Sequence, residues 1–249
     1  MERGVFSSRL AFILAASGSA VGLGNIWGFP TNATENGGAA FLLMYLVLAF
    51  LLAYPALMAE LIIGRHTRSN MVNALTEISS GKTVKYFGRG IGIAGMITAS
   101  LILSFYAIVA GWMISHMVEP ITQSFSPEVS QWLVSDSLLR NILLCGCFII
   151  LTALIISKGV EKGIEKWSTR LMPALFVLMT LLIIYVLFQK GAIEGLKHYL
   201  VPDFNQLFDS NLIVNAMGQA FFSMSLGVGT MLIYGCLLYT SDAADEHSW

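Results

Sequence analysis

Charge is what this sequence has least of. Lysine, arginine, aspartate and glutamate make up 12% of its 249 residues, against about 25% in an average soluble domain. Hydrophobic residues account for 56%, and the mean hydropathy is +0.72. That balance excludes an ordinary soluble domain and makes the lipid bilayer the first partner. The net charge of −1 leaves no basic footprint for nucleic acid. Cysteine is scarce too: Cys145, Cys147 and Cys236 are the whole set. Cys145 and Cys147 lie two apart in an apolar stretch, so on a helix they point to different sides. They read as buried small residues rather than as a disulfide or metal site. No His/Asp/Glu cluster or Ser–His pairing falls inside the apolar stretches, which argues against an enzyme. The first apolar run lacks a small-residue cleavage site followed by a polar chain, so no cleavable signal peptide is expected.

A membrane span needs about 20 mostly apolar residues. Six stretches qualify: 10–34, 39–63, 91–118, 142–157, 172–188 and 212–234. The expectation is therefore an all-α, polytopic membrane protein. Arg3 and Arg9 precede span one; Arg65, Arg68, Lys82, Lys85 and Arg89 separate spans two and three; Lys158, Lys162, Lys166 and Arg170 separate spans four and five. Only Arg140, Lys190 and Lys197 fall on the other side. The excess of basic residues on one side places the N-terminus in the cytoplasm of a cell-membrane protein. The loop 119–138, with turn signals at Pro120 and Pro127, is then outside, as is 190–210, which is amphipathic enough for a short surface helix. The cytoplasmic stretch 69–90 is another candidate for one.

Span one contains GSAVGLGNIWGFP, residues 18–30, with four glycines, an asparagine and a proline. Each interior glycine costs a helix about 1 kcal/mol relative to alanine. In lipid, every backbone group freed by a break must find another partner. Such a break is stable only where something uses it: freed carbonyls can coordinate a cation, and the N–H groups opening the second half-helix can hold an anion. Close helix packing is the plainer use of small residues. The pattern recurs, however, since Val21-Gly-Leu-Gly-Asn25 reappears in span six as Leu226-Gly-Val-Gly-Thr230. Paired glycine-interrupted spans point to a secondary transporter with a site near the bilayer midplane.

These residues resemble the prokaryotic branch of the neurotransmitter:sodium symporter family. The resemblance rests on GSAVGLGNIWGFP, Glu35-Asn-Gly-Gly-Ala39, Pro55-Ala-Leu-Met-Ala-Glu-Leu-Ile-Ile-Gly-Arg65, Phe105-Tyr106 with Gly111-Trp112, and FFSMSLGVG, residues 221–229, in that order. It implies an inverted-repeat transporter fold of twelve spans with broken helices 1 and 6, of which this chain carries about six. It also implies sodium-coupled amino-acid symport by alternating access. A membrane protein that binds or senses an amino acid without cycling is the alternative.

By that resemblance, one sodium ion takes the Ala20 carbonyl, the Asn25 side chain and Ser223, with the substrate carboxylate as a further ligand. A second takes the carbonyls of Gly18 and Val21. The substrate carboxylate sits on the N–H groups of Leu23 and Gly24 and the Tyr106 phenol. Its amine faces Ala20, Phe222, Ser223 and Ser225, and its side chain lies among Ser19, Ile102, Phe222, Ser225 and Val228. Gly22 stands where monoamine carriers have an aspartate, which favours a substrate bearing its own carboxylate. Val228 leaves room for a sizeable apolar or aromatic side chain. Glu60 is expected to support the unwound part of span six. Arg3 and Phe6 correspond to the inner gate, while Gly28 replaces the usual outer-gate arginine. Tyr45, Gln219 and Ser223 lie where relatives build a chloride site, and chloride dependence stays open. Residues 1–235 carry the resemblance. The stretch 236–249 is expected to be a non-native tail, because CLLYTSDAADE resembles a translated sequencing adapter.

Overall fold

The computed structural model describes residues 6–135 and 137–237, and within them every regular element is a helix. Helix α1 (Arg9–Ala20) starts where the Ser8 side chain accepts from the Ala11 N–H, which satisfies one of the orphan donors of a first turn. Helix α2 (Gly24–Glu35) continues it at a bend of 58°. Long continuous helices follow: α3 (Ala39–Thr67), α5 (Lys82–Gln123), α7 (Leu138–Ile156) and α8 (Val160–Leu187). Shorter ones lie between or after them: α4 (Met71–Glu77), α6 (Pro127–Val134) and α9 (Ala192–Leu200). Helices α10 (Ser210–Ser223) and α11 (Thr230–Cys236) flank the second break.

Four of these helices are long and apolar enough to cross a membrane, and the bent α1–α2 pair makes a fifth span. Among the described residues, the sixth expected span does not meet that standard. Its break leaves halves of 14 and 7 residues, each shorter than a bilayer requires. Large apolar side chains such as Leu101, Leu143 and Phe176 are exposed along the long helices, as on a surface that meets lipid rather than water.

Three sequence expectations need correction. The stretch 69–90 does hold a short helix, α4, but Lys82–Gly90 belongs to span three. The glycines there admit close packing of α4: a Cβ on Gly88 would lie 2.5 Å from Leu75 O, and one on Gly92 would lie 2.6 Å from Val72 Cα. Pro120 does not end span three either, because it lies inside α5. Only its own N–H is missing there, near a helix end where one lost bond matters least. Pro127, in contrast, opens α6 at a position where a missing N–H costs nothing. Finally, Cys147 is exposed and Cys145 half-buried, because α7 turns its Cys147 face away from the other described helices.

Where α3 crosses α11 the backbones touch through glycine. A Cβ on Gly64 would meet Leu232 O at 1.9 Å, and one on Gly235 would meet Leu61 O at 2.4 Å. The approach matters for the site, because it carries Glu60 of α3 up against the break before α11.

Candidate functional site at the two helix breaks

The first break redirects the backbone hydrogen bonds of span one. The Gly22 N–H donates to Ala20 O, and the Asn25 N–H to Gly22 O. In a continuous helix they would go to Gly18 O and Val21 O. The carbonyls of Gly18 and Val21, expected at the second sodium site, therefore lose their helical donors. Neighbouring carbonyls are capped by side chains. Ser225 Oγ donates to Ser19 O at 3.0 Å, Asn25 Nδ2 to Ala20 O at 2.6 Å, and Gln219 Nε2 to Gly24 O at 3.0 Å. Two of these three caps come from span six, so each broken helix helps to satisfy the other.

The second break, residues 224–229, is held by left-handed backbone at Ser225 (φ 53°), Gly227 (φ 80°) and Gly229 (φ 78°). Glycine tolerates that region freely, and a serine there is strained unless its side chain is engaged. The Ser225 bond to Ser19 O provides that engagement. The Gly227 N–H, freed by the turn, donates to Glu60 Oε1 at 2.7 Å. A single buried-side carboxylate on α3 thus fixes the loop that shapes the site.

Between the breaks lies a cavity of about 600 Å³. Ser19, Ala20, Gly24, Ile102, Tyr106, Phe222, Ser225 and Val228 line it, as do Gly18 and Asn25. Leu23, Val21 and Ser223 are not in its wall. Thr98, Leu103, Phe148 and Thr230 are, although sequence reasoning did not single them out. Thr98 lies one helical turn before Ile102, a spacing that could have flagged it. Phe148 comes from span four, where no motif drew attention. Tyr106 accepts a long hydrogen bond of 3.4 Å from the Gly24 N–H, which puts the phenol and that amide at one spot. A Cβ on Gly22 would lie 3.0 Å from the same phenol oxygen, and one on Gly24 would lie 1.9 Å from Phe222 Cε1.

The oxygens expected around the first sodium ion converge. Ser223 Oγ donates to Asn25 Oδ1 at 2.5 Å, while the Asn25 amide bridges to Ala20 O. All three are neutral oxygens, the donor type that a hard cation selects. Their lack of charge leaves one negative ligand to come from a bound carboxylate. Gln219, buried beside them, donates to Ser223 Oγ at 3.3 Å and accepts from Asn32 Nδ2 at 3.1 Å. The Tyr45 ring instead packs edge-on against Phe29 at 4.9 Å, and its phenol makes no hydrogen bond to Gln219 or Ser223. Of the residues suggested for chloride, the structure therefore joins Gln219 with Ser223 but not with Tyr45.

At the N-terminal end of span one, Phe6 is buried in an edge-to-face cluster with Phe12 and Tyr234, at centroid separations of 5.7 and 5.8 Å. The adjacent Ser7 N–H donates to Glu165 Oε2 at 2.9 Å, and its hydroxyl donates to Glu165 Oε1. Glu165 lies in the first turns of α8, and no motif in the sequence drew attention to it. Arg3 and the stretch from residue 238 onward lie outside the described residues. At the other end, a Cβ on Gly28 would meet nothing within 4 Å.

Comparison with known proteins agrees with this geometry. The model of the sodium:neurotransmitter symporter family matches residues 3–137 and 128–246. An uncharacterized sodium-dependent transporter of Bacillus subtilis, YhdH, is 37% identical over 239 residues, 94% of this chain and 52% of the relative. The sodium-dependent neutral amino acid transporter B(0)AT2 of Rattus norvegicus is 26% identical over 269 residues, 94% of this chain and 36% of the relative. The crystal structure of MhsT in complex with L-phenylalanine superposes with a TM-score of 0.80 at 40% identity, covering 95% of this chain and 54% of that one. The chain spans about half the length of the bacterial and archaeal relatives it matches.

Proposed function

Given that the chain belongs to the sodium:neurotransmitter symporter family, we propose that the complete protein takes up an amino acid together with sodium by alternating access. The observation that carries this reading is the meeting of Ala20 O, Asn25 Oδ1 and Ser223 Oγ beside the Gly24 N–H and the Tyr106 phenol. The neutral oxygens hold sodium as co-transported substrate. The amide and the phenol hold the amino-acid carboxylate, which also completes the ion's ligand shell. Each substrate then raises the affinity for the other, because each supplies charge that the other's site lacks. Gly22 contributes no carboxylate of its own, so the substrate brings one. Sodium flowing inward down its gradient drives accumulation, with the N-terminus on the cytoplasmic side.

The test is uptake of radiolabelled neutral amino acids into vesicles bearing the protein, with sodium chloride and then with choline chloride outside. Loss of uptake in choline is expected; equal uptake in both overturns sodium coupling. The open space around Gly28 favours a second reading, in which the extracellular side does not close and the protein binds without cycling. Saturable, sodium-dependent binding with no accumulation would select that reading.

A further inference from the structure

We infer that helix α9 is a membrane-surface anchor, whose outward face of Ile193, Leu196 and Leu200 lies among the lipid headgroups beside span five. The three residues recur at intervals of three and four, which puts them on one side of a helix. They are exposed by 71%, 44% and 65%, so no other described residue covers them. The opposite side is the one that packs. The Tyr199 ring rests on the buried cluster of Ala33, Ala40 and Phe41. Its phenol donates to Pro30 O of α2 at 3.3 Å and lies 3.2 Å from Thr34 Oγ1. His198 runs so close to the turn before α3 that a Cβ on Gly38 would lie 2.4 Å from its carbonyl oxygen. A helix fastened on that side would leave its apolar residues in water on the other, which is unfavourable unless a further apolar phase covers them.

Position identifies that phase. Helix α9 touches α3 and α8, and it lies against the turn between the end of α2 at Glu35 and the start of α3 at Ala39. Its first residue, Ala192, follows shortly on Leu187, the end of α8. Three spans thus reach their ends beside it, which sets it at the level of the bilayer boundary. The stripe carries on the apolar surface that the end of α8 exposes at Ile184, Leu187 and Phe188. The charges match a lipid surface too. Lys190 precedes the helix and Lys197 adjoins the stripe, so their ammonium groups can reach lipid phosphates while their methylenes stay on the apolar side. Glu194 falls on another face. With nine residues α9 is too short to cross a bilayer, and its pattern is that of a helix lying in the interface.

The test is fluorescence quenching in the complete protein, freed of its other cysteines and held in nanodiscs of phosphatidylcholine and phosphatidylglycerol. Leu196→Cys and Leu200→Cys, each carrying an environment-sensitive label, are compared with Glu194→Cys. One quencher is a lipid with a nitroxide just below its headgroup, and the other is iodide in the water. The labels at 196 and 200 are expected to lose fluorescence to the nitroxide lipid and to be spared by iodide, with the label at 194 showing the reverse order. Quenching at 196 and 200 by iodide alone would place the stripe in water and overturn the inference. Protection from both quenchers would overturn it as well, since protein rather than lipid would then cover the stripe. Equal nitroxide quenching at all three sites would remove the outward face on which the inference depends.

Discussion

At the scale of single residues, the site depends on atoms that have almost no room to move. Asn25 holds three groups together: its amide donates to Ala20 O, and its carbonyl oxygen accepts from Ser223 and, at 3.5 Å, from Gln219. Asn25→Ala removes the proposed ion ligand and the bridge between the two breaks. The sodium concentration for half-maximal uptake should rise by at least about tenfold, since a charge-assisted contact is worth about 1.5–3 kcal/mol. A sodium titration of uptake checks this, and an unchanged midpoint would remove Asn25 from the ion site. Gly24→Ala tests shape instead of charge. Its methyl would land on the Phe222 ring, and because that ring also lines the cavity, it must swing into the substrate's space. Substrate affinity should fall by about 10- to 100-fold, the equivalent of about 1–3 kcal/mol of overpacking. Competition binding at fixed sodium measures it.

At the scale of elements, glycines divide into those that let backbones touch and those that do not. Gly64 of α3 faces Leu232 O of α11, so Gly64→Ala must push two helices apart. It should cost about 1–3 kcal/mol and lower the thermal midpoint in detergent. Gly195 in the exposed helix α9 has nothing near it, so Gly195→Ala should leave the midpoint unchanged or raise it slightly, because alanine is the better helix former. A fluorescence melt of both variants separates the two classes. Gly28 is a third case. It lies in α2 with open space around it, so Gly28→Arg should fold normally. If extracellular closure lacks only this side chain, the arginine should slow dissociation of bound substrate, and a wash-out time course reads that directly.

At the scale of the whole molecule, the charge distribution predicts an orientation that the helices make testable. The loop before α5 should face the cytoplasm and the loop after α8 the outside. In a cysteine-free background, Lys190→Cys should react with a membrane-impermeant maleimide on intact cells, and Ser80→Cys should react only after permeabilisation. The opposite pattern would invert the topology.

Much of this architecture was legible in the residues themselves. Length and hydropathy of the apolar runs specify spans, because a bilayer leaves a chain few ways to satisfy its backbone. The repeated Gly-x-Gly marks both breaks, because repeated glycines within an apolar run are costly in a helix. Most of the cavity-lining residues followed from those breaks by resemblance. Other features depended on contacts between distant segments. The stretch 69–90 is expected to hold one short helix, but its end, with Gly88, belongs to α5, whose Gly88 and Gly92 admit α4 against them. Glu165 is tied to Ser7, 158 residues away in sequence, a contact that no local pattern signals. Sequence by itself determined which segments enter the membrane and where they break, since both are properties of local composition and backbone preference. Only the tertiary structure decided which freed carbonyl each polar side chain caps, and which distant glycines let two backbones touch. Those outcomes depend on how closely two broken helices approach in space, which local composition does not encode.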